Sequence, residues 1–78
     1  MKFTNEIFER YMNTEDSKHK AMADEFGYEN LADFEEDIYI WAVNHADKAK
    51  VMKCFSMGEI RYREARALWA DEMERGTK

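Results

Sequence analysis

Apolar residues near the start of the chain recur at helical spacing. Phe3, Ile7, Phe8, Tyr11 and Met12 are separated by steps that bring them to one face. Thr4 precedes this stripe with a hydroxyl able to accept from free amides, so a first helix is expected from about Thr4 to Asn13. The next signal is Thr14 as an N-cap, followed by Glu15 and Asp16, whose negative charge suits the positive end of a helix dipole. Ala21, Met22 and Phe26 give this second helix a short apolar stripe. Gly27 is placed to close it in a left-handed cap.

Asn30 and Asp33 form a capping pair for a third and longest helix. Leu31, Phe34, Ile38 and Trp41 step along one face, and the same phase continues through His45, Lys48, Met52 and Phe55. One continuous helix from Leu31 to Phe55 is the first expectation. A break near Asn44, with Asn44 and Asp47 as a second capping pair, is its competitor. The apolar run from Ile38 to Val43 also suits a buried strand, but no second strand pattern exists to pair with it.

After the turn at Ser56, Met57 and Gly58, a fourth helix is expected to turn Tyr62, Ala65, Leu68, Trp69 and Met73 inward. Ile60 falls off that face and is assigned to the turn, packed on the preceding helix; Gly76 closes the chain. The expected fold is therefore all-α, a single domain over 1–78 built as a small bundle of three to four helices with a long third helix. Its expected core is Phe8, Phe34, Ile38, Trp41, Phe55, Leu68 and Trp69, with the two tryptophans as anchors.

Composition sharpens this picture in three ways. Proline is absent and glycine occurs three times, so little interrupts helices. Cys54 is the one cysteine, so no internal disulfide is available; it is expected to behave as a small apolar filler in a reducing, cytoplasmic setting. The longest apolar run is six residues, too short for a membrane span, and the start lacks the apolar core of a secretory signal, so no membrane association is expected.

Charge is the most informative feature. From Ala21 to Asp47 there are eight acidic residues and no lysine or arginine. From Lys48 to Arg66 the bases Lys48, Lys50, Lys53, Arg61, Arg63 and Arg66 oppose only Glu59 and Glu64. At about 100° per residue, Glu29, Asp33, Glu36, Asp37, Ile40, Asn44 and Asp47 gather opposite the Leu31, Phe34, Ile38 and Trp41 face. Glu29, Asp33, Glu36, Asp37, Ile40 and Asp47 are the candidate partner-binding residues. Like charges at these spacings repel, so the cluster costs stability unless cations neutralise it. A solvated face that keeps the protein soluble accounts for the same pattern.

Catalytic chemistry is not legible in the sequence. HExxH, Glu-x-x-His and calcium-loop patterns are missing, and adjacent Glu35, Glu36 and Asp37 point different ways on a helix, so no metal or cofactor is expected. Cys54 has no nearby signature of an activating base. His19 and His45 are far apart, and His45, on the core phase, is expected to be a hydrogen-bonded structural histidine. No enzyme is expected.

The turn around Gly58 and Ile60 with the EARALW segment resembles short helical hairpins found at the ends of many bacterial and phage proteins, which identifies no family. In size, acidity and helicity the chain is similar in kind to phage-encoded inhibitors of host enzymes and defence systems, including DNA mimics and anti-CRISPR proteins. That resemblance implies an inhibitor in the host cytoplasm that docks an acidic helix face on a basic, nucleic-acid-binding surface of a larger protein, such as a CRISPR defence component. The alternative is a structural or regulatory homo-oligomer pairing acidic and basic segments of different copies. Direct nucleic-acid binding by the basic stretch is disfavoured by the net charge of −5.

Overall fold

The computed structural model describes the backbone of residues 3–76 and the side chains of residues 3–69. Among the described residues there are five α-helices and no strand: α1 (Asn5–Met12), α2 (His19–Glu25), α3 (Leu31–His45), α4 (Lys48–Cys54) and α5 (Glu59–Gly76). A single 3-10 turn, Asp16–Lys18, leads into α2. The chain divides into two compact units, Met1–Tyr39 and Ile40–Lys78.

The first unit is organised by the Phe34 ring, which is fully buried. Four aromatic rings surround it, with centroids 6.1 Å away for Phe3, 5.9 Å for Tyr11, 5.9 Å for Phe26 and 5.3 Å for Tyr28. Tyr11 and Tyr28 meet it edge-on and Phe26 is stacked, arrangements favoured by the ring quadrupole and worth about 0.5–1.5 kcal/mol each beyond area burial. These rings come from the approach to α1, from α1 itself, from the end of α2 and from the loop after it, so one side chain of α3 gathers every neighbouring element of the unit.

Local signals bring the rings there. Thr4 caps α1 by accepting from the Ile7 amide at 3.2 Å. At the end of α2, Gly27 takes φ +84°, its amide bonds to Asp24 O, and the Tyr28 amide reaches back to Ala23 O at 3.0 Å. This pair of bonds is a Schellman closure, which turns the chain back against the helix it has just left. Asn30 then caps α3, its side-chain oxygen accepting from the Asp33 amide at 2.9 Å while its amide donates to the Asp33 carboxylate.

Among the described residues of the second unit the buried ones are Ala42 and Val43 of α3, Val51 of α4, Met57 of the following turn, and Tyr62 and Ala65 of α5. Lys48 links the starts of α4 and α5: its Nζ is 2.6 Å from Glu59 Oε1 and lies 5.6 Å above the Tyr62 ring.

Several expectations are corrected. The helix from Leu31 does not reach Phe55, because Asp47 is extended (φ −60°, ψ 130°) and its carboxylate accepts from the Lys50 amide, starting α4 anew. The break is thus the competitor's, but Asn44 does not cap it; its amide donates to Ile40 O, one turn back in α3. The longest helix is α5, with 18 residues against 15 for α3. Thr14 is no N-cap either, since its hydroxyl donates to Arg10 O at 2.6 Å and ties it to the end of α1.

The apolar assignments to α5 also change. Leu68 is 67% exposed and Ile60, which lies in the first turn of α5, is 76% exposed. Tyr62 and Ala65 are buried, three residues apart, and that phase leaves Ile60 and Leu68 on the outer side. Trp41, Phe55 and Trp69 are half-buried and do not anchor the core as expected; Met73 lies outside the residues whose side chains are described. Cys54 is half-buried and not in a disulfide.

Three substitutions, each read by urea unfolding, test the packing and the two helix closures. Phe34→Ala is expected to cost about 3–5 kcal/mol in urea unfolding, comparable with the whole stability of a small domain. Ser56 has φ +53° at the end of α4, where its amide meets Lys53 O and the Met57 amide meets Met52 O, a second Schellman closure without glycine. Ser56→Gly is therefore expected to stabilise by about 1 kcal/mol. Gly27→Ala is expected to destabilise by about 1 kcal/mol through backbone strain alone, since a Cβ there meets nothing within 4 Å.

Candidate protein-binding surface

Burying Phe34 and Ile38 on one side of α3 fixes what faces out on the other. Asp33, Glu36 and Asp37 lie on consecutive turns and are all exposed, and Glu29 is exposed in the bend before the Asn30 cap. These are four of the six candidate residues. Ile40 lies one turn after Glu36 in the same helix and is half-buried. Asp47 lies beyond the end of α3, where the helix phase that aligned it with Asp37 no longer applies, and its carboxylate serves as the α4 cap.

The four carboxylates differ in how firmly they are held. Asp33 is engaged with Asn30 in the α3 cap. Asp37 accepts a 2.7 Å hydrogen bond from the Tyr28 hydroxyl. Glu29 and Glu36 make no hydrogen bond or ion pair with any described residue. Glu35, pointing elsewhere on the helix, is half-buried and accepts from the Tyr11 hydroxyl at 3.2 Å.

No described cation neutralises this side of α3. Arg10 grips Glu25 through two hydrogen bonds of 2.6 and 2.7 Å and lies 5.7 Å above the Phe26 ring. Lys20 is paired with Asp24 one turn away. Both bridges are exposed, where an ion pair adds little to stability, yet they occupy Arg10 and Lys20, two of the basic side chains of the first unit, on carboxylates of α2. That unit carries eleven acidic and four basic residues, a formal charge of −7, while the second carries +2.

Titration follows these contacts. The Arg10 hydrogen bonds hold the Glu25 carboxyl below its ordinary range, and the Lys48 hydrogen bond does the same for Glu59. A carboxyl lowered on folding contributes stability above its ordinary pKa, lost as pH falls through the lowered value. Burial, followed by the hydrogen bond to Asp37 and the charges of Asp37 and Asp33, raises the Tyr28 phenol well above the ordinary tyrosine value.

The buried histidine is His19, not His45. Nε2 of His19 donates to Tyr11 O at 3.0 Å, because a carbonyl can only accept, and the ring stacks on Tyr11 at 4.2 Å. His45 is exposed in the last turn of α3, its ring 5.4 Å from that of Trp41. Tyr28 escaped the sequence reading altogether. The available signal was Gly27: a left-handed C′ residue predicts that the next side chain folds back toward the helix.

Among the described residues no group of three or more His, Cys, Asp or Glu is placed to hold a metal ion, and no helix is long and apolar enough to cross a membrane. Compared with family models, curated proteins and solved structures, the chain matches none.

The Tyr28 and Asp37 pair gives a pH dependence of definite sign. A phenol whose pKa rises on folding stabilises the fold fully below the ordinary value of about 10, and that contribution falls away as pH climbs through the raised value. In an alkaline titration, Tyr28→Phe is expected to remove a phenolate absorbance that appears above the ordinary tyrosine range. An unchanged titration of the variant refutes the assignment.

Proposed function

We propose that the protein is a non-enzymatic binding domain that docks the acidic side of α3 on a basic surface of a larger protein. The observation that carries this reading is that Glu29, Asp33, Glu36 and Asp37 are exposed together without a described cation. Adjacent carboxylates on a helix repel one another, and a basic partner relieves that cost on binding. The −7 charge of the first unit adds a long-range attraction that speeds encounter and sets the orientation of approach.

The geometry supports a division of labour within the surface. Asp33 and Asp37 are held by Asn30 and Tyr28, so their charges are presented in fixed positions. Glu29 and Glu36 have no such ties and are free to adjust to a partner's lysines and arginines. A basic groove that ordinarily holds a nucleic-acid backbone is the partner chemistry that best fits carboxylates repeated along a helix, which would make the protein a competitive inhibitor.

Zero-length carbodiimide cross-linking in the native cell tests this reading, because it joins carboxylates only to amines in direct contact. Cross-links from Glu29 or Glu36 to lysines of a larger protein are expected. The double variant Glu29→Lys, Glu36→Lys should lose them and slow association at least about tenfold, with helicity by circular dichroism unchanged. Cross-links confined to the chain itself refute the proposal.

A further inference from the structure

The outer side of α5 is the second surface without an internal partner. Ile60 and Leu68 are 76% and 67% exposed, two turns apart, with exposed Ala67 beside them. Exposed Arg61, Arg63 and Arg66 accompany them. Among the described side chains of α5, Glu64 is the one carboxylate without a partner, since Glu59 is held by Lys48 at 2.6 Å and contacted by Arg63 at 3.4 Å. Among the described residues Arg61 and Arg66 have no carboxylate partner. Exposed aliphatic side chains set among uncommitted guanidiniums make a surface suited to an acidic helix.

We infer that the occupant of the α5 surface is the acidic side of α3 from a second copy of the chain. Three observations select it. The signs are opposite, −7 for the unit that carries the acidic surface and +2 for the unit that carries α5. The spacings correspond: Asp33 and Asp37 are neighbours one turn apart on α3, as Arg63 and Arg66 are on α5. Both surfaces are exposed in the single chain, with Glu29 and Glu36 lacking described partners as Arg61 and Arg66 do. Arginine is the better donor here because its planar fork binds a carboxylate through two parallel hydrogen bonds.

This inference shares the acidic surface with the proposed function, so self-association and docking on a larger protein exclude one another. The oligomer is then a reserve from which a more basic partner draws monomers. Self-association is measurable with the purified chain alone, and its outcome is separate from that of the cross-linking experiment.

Sedimentation velocity of the full chain between salt concentrations of about 10 mM and about 1 M supplies the first test. Screening should weaken self-association at least about tenfold over that range. The second test is a charge exchange. Arg61→Glu, Arg63→Glu places carboxylates on α5, Glu29→Arg, Glu36→Arg places cations beside α3, and each variant alone should be monomeric. An equimolar mixture should associate again, because each altered surface then meets its complement. If a reversal lowers helicity, Arg61→Gln, Arg63→Gln replaces it, and weakened association is still expected.

A wild-type chain that is monomeric at low salt, or variants that fail to recover on mixing, overturns the inference. So does a monomeric chain that binds anionic lipid vesicles or duplex DNA through Arg61 and Arg63, which assigns α5 to a different occupant. The α5 variant keeps Glu29 and Glu36 intact, so its cross-linking to a larger protein should persist; the failure of one proposal is thereby read independently of the other.

Discussion

The burial of one aromatic ring, Phe34, constrains the first unit more than any other contact. Rings from four stretches of chain converge on it. The caps at Thr4, Gly27 and Asn30 contribute about 1 kcal/mol apiece at most, but they set the directions in which the rings enter. With Phe34 and Ile38 committed to the interior, the helix period leaves Asp33, Glu36 and Asp37 nowhere but outside. The acidic surface is thus a geometric result of the aromatic core.

Much of the first unit was legible because its signals are local. A threonine before an apolar stripe, a glycine after one, and an Asn30 and Asp33 pair each act over four residues, and each did what its chemistry predicts. The failures lie where local signals compete. At Asp47 the apolar phase runs on into Met52 and Phe55, but an aspartate three residues before a free amide forms a cap, and the cap won. The Thr14 hydroxyl bonds back to Arg10 O, the local alternative to capping that threonine offers.

The candidate surface was half legible for the same reason. Helical phase identified Asp33, Glu36 and Asp37 correctly as outward residues, because they lie within one helix. It failed for Asp47, which lies past the break that follows His45. The roles of Tyr28 and Arg10 were not legible, since they depend on which distant side chain each finds. Apolar character misled on α5: Leu68 and Ile60 look like core residues in the sequence, yet the buried phase runs through Tyr62 and Ala65.

The Tyr28 hydroxyl joins the interior of the first unit to its surface charge. Its ring packs on Phe34 while its oxygen holds Asp37, so the placement of that carboxylate is inherited from the packing beneath it. Glu29 and Glu36 inherit nothing of the kind. Over evolutionary time the two classes should drift differently: replacing Asp37 leaves the Tyr28 hydroxyl without its acceptor, whereas a glutamate without such a tie can disappear from one position and reappear at another at little cost to folding. A lineage of such chains would keep its total acidity and a few fixed carboxylates while the others wander, and simple column-by-column comparison would undervalue the residues that wander.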